Sequence, residues 1–386
     1  IDYGNKLNDK AFDHFQEGKL LDALVLFQDC KDYFQQNLPK DHILLAQALN
    51  NYGDCIRQFS LAYPQHDYAT QQQLEYASRC FQRGIKILEA KKPVSDALLS
   101  NLYNNYGLFV LYNVKQQRTG IEWLKKGFLL RKKLVKEYQN KSESEKEVDM
   151  RKKIAISLNN MALGFSILED YERAKDFIEK SIALYDQTIL EEEDEDEVDD
   201  YLMKTKDIPD AYLGFLNNFG DILQKSGDDY NAMIHLERAL RINTFNEDVK
   251  RVVTKKDGQE MEEIVHHTGD LKKPQMAGST LSYMAQVFYE QEKYPEAEKA
   301  LRVAISAITI NLPLEHINVI NLKTQLGHVI LKQEDSKTEE EKKEAEELIR
   351  EAKRMTHEKI NSVKKDKRFK MIKSLLQREP VRGILD

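Results

Sequence analysis

Leu216–Gly220 reads LNNFG, and the phrase returns as LNNYG at Leu49–Gly53, YNNYG at Tyr103–Gly107 and LNNMA at Leu158–Ala162, with a looser LSYMA at Leu281–Ala285. In each copy a large residue is followed four positions later by Gly or Ala. Three positions on comes another large residue, as in Leu158, Ala162, Phe165 and Leu216, Gly220, Leu223. Steps of four and three place all three side chains on one face of an α-helix. A second stretch follows with the complementary signature: Ala174, Ile178, Ser181, then Ala232, Leu236, Ala239, then Ala297, Leu301, Ala304. From the small residue of the first helix to that of the second the offset is 12 residues in three separate pairs, Ala162 to Ala174, Gly220 to Ala232 and Ala285 to Ala297. Short turns at Glu169–Tyr171, Lys225–Asp228 and Gln291–Tyr294 join them, as expected of antiparallel neighbours. The small residue lets the second helix approach closely.

Composition supports helices and a repeat. A chain of 386 residues is long for one compact core, and only 16 Gly and 8 Pro interrupt it. With 41% hydrophobic and 32% charged residues it reads as folded with much exposed helix surface. The formal net charge is −7, and Glu191–Asp200 (EEEDEDEVDD) alone holds nine acids, so the remainder sums to about +2. That balance gives no case for nucleic-acid binding. No apolar stretch reaches the length of a membrane span. Cys30, Cys55 and Cys80 are odd in number and form no C-x-x-C pair, which predicts a reduced, cytoplasmic setting. In that setting the glycosylation-like triplet Asn140-Lys141-Ser142 is a chance match.

The large–small–large and small–large–small register resembles the tetratricopeptide repeat. The LNN opening resembles the kinesin-light-chain type of it, although the consensus Trp is absent and Trp123 lies on a second helix. The resemblance implies an all-α, right-handed superhelical solenoid of antiparallel helix pairs, about seven repeats in all. Weaker copies extend the array: Ala11 with Ala23, Phe27 and Cys30; Gly53 with Ala77, Phe81 and Gly84; Gly107 with Gly120, Leu124 and Gly127; Gly327 with Ala345, Ile349 and Ala352. The expected domain plan is a repeat array over 5–355 and a basic capping helix and tail over 356–386. Two insertions interrupt it. Leu190–Asp207 holds the acidic run, read as a solvated, disordered loop whose removal leaves the fold intact. Thr244–Ser279 is read either as a small hairpin turning at Asp257-Gly258 or as a disordered loop. Arg350–Lys373 carries ten Lys or Arg against three acids, which suits an acidic partner surface and a solvated capping helix equally well.

In a solenoid one helix of each pair lines the concave face, and the resemblance assigns that role to the first, here termed the A helix. The second Asn of each phrase, Asn51, Asn105, Asn160 and Asn218, falls two positions before the small residue and so points away from the paired B helix. A carboxamide both donates and accepts, so a ladder of them can hold the backbone of an extended peptide. We read them so, in preference to bonds with neighbouring helices or water, because four copies share one register. Tyr112, Asp221, Lys225 and Tyr283 share that face. No phosphate-binding Gly-rich loop or nucleophile elbow occurs, and His266-His267 lacks further ligands at metal spacing. The expectation is a non-enzymatic adaptor that binds a protein partner through an extended peptide. It would need no cofactor, metal or small-molecule substrate. The alternative is a structural subunit of a large assembly, for example a cytoskeletal or ciliary one.

Overall fold

The computed structural model describes residues 1–62, 71–93, 95–193, 197–244, 251–256, 259–264, 271–314, 316–333 and 336–366. It divides into two compact units, Ile1–Glu169 with Ile360–Asp386, and Asp170–Lys359. The first holds α1 (Asp2–Gln16), α2 (Leu20–Asn37), α3 (Ile43–Ala62), α4 (Gln71–Ala90), α5 (Asp96–Tyr112), α6 (Gln117–Asn140) and α7 (Ser144–Ile167). The second holds α8 (Tyr171–Glu193), α9 (Val198–Lys204), α10 (Asp210–Lys225), α11 (Asp229–Ile242), α12 (Pro274–Glu290), α13 (Tyr294–Ile308), α14 (Ile317–Leu331) and most of α15 (Glu339–Lys365). Fourteen of these helices fall where the repeat places an A or a B helix. The extra one is α9.

The small residues of the A helices do what their register predicts. A Cβ added to Gly53 would meet the Phe81 ring at 2.9 Å, and at Gly107 the Leu124 side chain at 2.8 Å. In the second unit, Gly220 would meet Leu236 and Gly327 would meet Ile349, each at 2.6 Å. Each time the opposing residue is the large member of the same repeat's B helix. The helices therefore pack backbone against side chain, with no room for a methyl group. The turns are also alike. Gly18 and Gly227 adopt positive φ, and so do Lys115, Glu169 and Glu292 at the equivalent turns. At three of these turns the next N–H reaches five residues back, as Lys19 does to His14, Asp228 to Leu223 and Lys293 to Phe288. This is the left-handed cap that ends a helix tightly. α15 opens on a capping box, where the Thr338 N–H donates to Glu341 Oε2 at 2.9 Å and the Glu341 N–H to Thr338 Oγ1 at 3.3 Å.

The insertions depart from expectation in part. Between α11 and α12, β1 (Arg251–Lys256) and β2 (Gln259–Ile264) pair antiparallel, with Lys256 opposite Gln259. The hairpin reading therefore holds, while the Asp257-Gly258 turn and His266-His267 lie outside the described residues. The acidic insertion is not a loop over its second half. Glu191–Glu193 end α8, residues 194–196 are not described, and α9 follows. Asp199 forks the Arg238 guanidinium at 2.7–3.1 Å and reaches Arg241 at 3.1 Å. Arg238 also donates to the Tyr212 hydroxyl at 2.6 Å, and that hydroxyl donates to Asp186 at 2.5 Å. The Lys272 ammonium caps the end of α9 through the Leu202 and Met203 carbonyls at 2.7 and 2.6 Å. Val198 and Leu202 are buried. Reading the run by charge alone passed over two apolar residues four positions apart, and those seat the helix once Arg238 and Arg241 neutralise Asp199. The boundary expected at residue 356 falls inside α15, and residues 367–386 lie outside the described residues.

Two pairs of variants test this packing by urea unfolding. Gly220→Leu should cost about 1–3 kcal/mol or more through overpacking against Leu236. Gly214→Ala, on the same helix where an added Cβ meets nothing within 4 Å, should instead stabilise by about 0.5–1 kcal/mol. Equal stabilities would mean the register is wrong. Leu202→Ala should cost roughly 2 kcal/mol or more, while exposed Glu197→Gln should stay within about 0.5 kcal/mol. A silent Leu202→Ala would restore the loop reading.

Candidate functional site

The paired Asn residues of the first unit form one continuous chain of hydrogen bonds. Asn51 Nδ2 donates to Asn8 Oδ1 at 2.8 Å, Asn105 Nδ2 to Asn50 Oδ1 at 3.2 Å and Asn160 Nδ2 to Asn104 Oδ1 at 3.0 Å. Within each phrase the first Asn donates to the second: Asn50 to Asn51 at 3.0 Å, Asn104 to Asn105 at 3.4 Å and Asn159 to Asn160 at 3.3 Å. The rule is that the second Asn of one A helix donates to the first Asn of the A helix before it. Asn8 obeys this rule from α1. It stands three residues before Ala11, as Asn50 stands before Gly53. The ladder thus stitches α1, α3, α5 and α7 along their A-helix face. In the second unit a weaker version occupies the same register, Ser282 Oγ with Gln325 Oε1 at 3.2 Å, and Thr280 Oγ1, two residues before that register, donates to Asn217 Oδ1 at 2.8 Å.

The ladder edges a cavity of about 300 Å³ in the first unit. Phe12, Phe15 and Phe27 form its apolar side. Gln47, Asn50, Asn51 and Asp54 enter from α3, Asn101 and Asn105 from α5, and Arg131 from α6. Arg131 is 3% exposed and is held by neutral groups alone. Nε donates to Ser100 Oγ at 3.4 Å, Nη1 to the Lys153 carbonyl and to Ser157 Oγ at 2.6 Å each, and Nη2 to Asn101 Oδ1 at 2.9 Å. Burial without a carboxylate in contact pushes its pKa down to about 10. Asp54, by contrast, is paired with Arg57 at 2.6 Å.

The residues singled out in the sequence are not gathered at one place. Asn51 and Asn105 line the cavity, while Asn160 sits in the ladder, 8% exposed. Asn218 and Tyr112 are half-buried on α10 and α5. Asp221 and Lys225 form an ion pair with each other at 2.6 Å. Tyr283 lines a separate polar cavity of about 240 Å³ in the second unit, with Ser282 and Gln325. Sequence reasoning missed Asn8, the first Asn of each phrase, Gln47, Asn101 and Arg131. Arg131 was nonetheless marked by its spacing. It stands four residues after Gly127 on the buried face of α6, where a cation is out of place.

Little on this surface is reactive. The three cysteines are buried as free thiols, and burial pushes Cys30 up to about 12 and Cys55 higher still. Among the described residues no three His, Cys, Asp or Glu side chains are grouped to hold a metal, and no helix is long and apolar enough to cross a membrane.

No protein-family model matches the chain, nor does any curated protein. Solved structures do. The apo form of RapI covers 92% of this chain and 99% of its own length at 11% identity, with a TM-score of 0.52. BtubC (BKLC) from P. vanneervenii covers 75% and 92% at 13% identity, with a TM-score of 0.48. A Rap protein complexed with Competence and Sporulation Factor covers 86% and 75% at 10% identity, with a TM-score of 0.47. At these identities the likeness concerns the fold alone, and of these three RapI matches closely enough to bear on it. RapI matches along nearly all of both chains, and small residues pack against large ones at Gly53, Gly107, Gly220 and Gly327: the chain has a tetratricopeptide-type repeat fold.

Proposed function

We propose that this chain is a non-catalytic interaction scaffold that holds an extended peptide segment of a protein partner on the A-helix face of its first unit. The observation that carries this reading is the amide-lined cavity beside the ladder. An extended peptide presents donors and acceptors in alternation. Each carboxamide has two N–H donors and two acceptor lone pairs, and the ladder uses one donor of each Asn of the three phrases. Asn51 and Asn105 keep a second donor where they line the cavity. The Gln47 amide, in the same wall, makes no hydrogen bond within the protein among the described residues. Phe12, Phe15 and Phe27 supply an apolar surface for a side chain of the segment. Asn160 and Tyr112, on A helices of the same unit, are proposed as secondary contacts, and Asn218, Asp221, Lys225 and Tyr283, on A helices of the second unit, as contacts there. The partner is a protein, reached without a cofactor, in a cytoplasmic setting.

A second reading rests on a B helix of the second unit. Tyr230 is 78% exposed and Ile234 41% exposed, one turn apart on B helix α11. Apolar groups on an outer face suit a structural subunit that docks by its back.

Panning a display library of linear peptides against the purified chain separates the two. Peptides that engage the cavity should bind Gln47→Ala more weakly by about 0.5–1.5 kcal/mol, roughly two- to tenfold, with unchanged melting and with no effect of Tyr230→Ser. Peptides lost with Tyr230→Ser and indifferent to Gln47→Ala would favour the outer-face reading and count against the groove.

A further inference from the structure

We infer that the cavity of the first unit takes a carboxylate, received by Arg131 and Asn101 and carried by an acidic side chain or a chain end of the bound segment. The inference rests on the reading that this face binds a peptide.

Arg131 is buried without a counter-charge in contact among the described residues. A guanidinium removed from water is costly unless it is paired, yet the hydrogen-bond partners of Arg131 among the described residues are all neutral. Asp149, the carboxylate acting on it from a distance, is exposed and committed to Lys153 at 2.6 Å. Four of the five guanidinium N–H groups are used by Ser100, Ser157, Asn101 and the Lys153 carbonyl. The fifth, on Nη2, makes no bond within the protein among the described residues. Asn101 is fixed by the same contact. Its oxygen accepts from Nη2 at 2.9 Å, so its amide nitrogen is held beside the guanidinium with both N–H groups unspent.

Both residues line the one cavity. They present adjacent donors, one from a cation, clamped from four sides. Such a pair suits the two oxygens of a carboxylate and gives it charge-assisted bonds. A monoanion fits better than a phosphate, because Asp54 lines the same cavity and, though paired with Arg57, still repels a dianion more strongly. Gln47 adds a further amide.

The test uses peptides panned on the full chain, with affinities measured by calorimetry. Peptides whose binding depends on Gln47 should contain an acidic residue, or require a free C-terminus. Replacing that residue with Ala should weaken binding to wild type by on the order of tenfold but leave binding to Arg131→Gln unchanged. Asn101→Leu, which keeps the cation, should lose part of the same effect, so the test survives if Arg131→Gln folds poorly. Amidating the peptide's C-terminus tells a chain end from a side chain. Gln47-dependent peptides without any such carboxylate, or a carboxylate whose removal costs the same in wild type and both variants, would overturn the inference and leave the peptide groove standing. A library that yields no Gln47-dependent peptide would overturn both.

Discussion

An amide placed in the seam between two helices must find a partner, because leaving it buried and unpaired costs about 1–3 kcal/mol. In the first unit this requirement is met repeatedly by one device. From α3 onward every A helix presents its second Asn to the A helix before it, where Asn8, Asn50 or Asn104 receives it. The bonds need the four helices in register along their length, since a shift of one residue turns a side chain about 100° around a helix. They also dispose of only half of each amide's capacity. What is left over edges the cavity on that face. The same residues therefore hold the helices and supply the donors from which a groove is made.

Much of the fold was legible because the packing rule is local. A Gly or Ala with large neighbours four before and three after marks an A helix, and its opposing large residue follows 16 or 17 positions later in five of the seven repeats, the exceptions being Gly53 with Phe81 and Gly327 with Ile349. Gly220 against Leu236 and Gly107 against Leu124 are direct translations of that spacing. The turns are less legible. Glu169 and Glu292 occupy the left-handed position that Gly18 and Gly227 fill elsewhere, and nothing in a Glu signals it.

The candidate site was half legible. The register turns the second Asn of each phrase away from its B helix, but the immediate partners of Asn51, Asn105 and Asn160 are Asn residues of the neighbouring A helix. A single helix cannot reveal this, because the partner lies 43–56 residues away in sequence. Arg131 was hidden for a different reason. α6 is rich in Lys and Arg, and only the buried face distinguishes this one from its exposed neighbours Lys132 and Lys133. The acidic insertion misled in the reverse sense. Its charge pointed to solvent, while Val198 and Leu202 seat it and Arg238 neutralises it.

The ladder is the point on which the account stands, and a double-mutant cycle on Asn104 and Asn160 tests it most directly. These two amides meet at 3.0 Å across α5 and α7. Unfolding free energies of Asn104→Ala, Asn160→Ala and the double variant should reveal a coupling of about 0.5–1.5 kcal/mol, the net worth of a hydrogen bond. Additivity within about 0.3 kcal/mol, with both single variants folded, would show that the amides face water independently and would contradict the ladder.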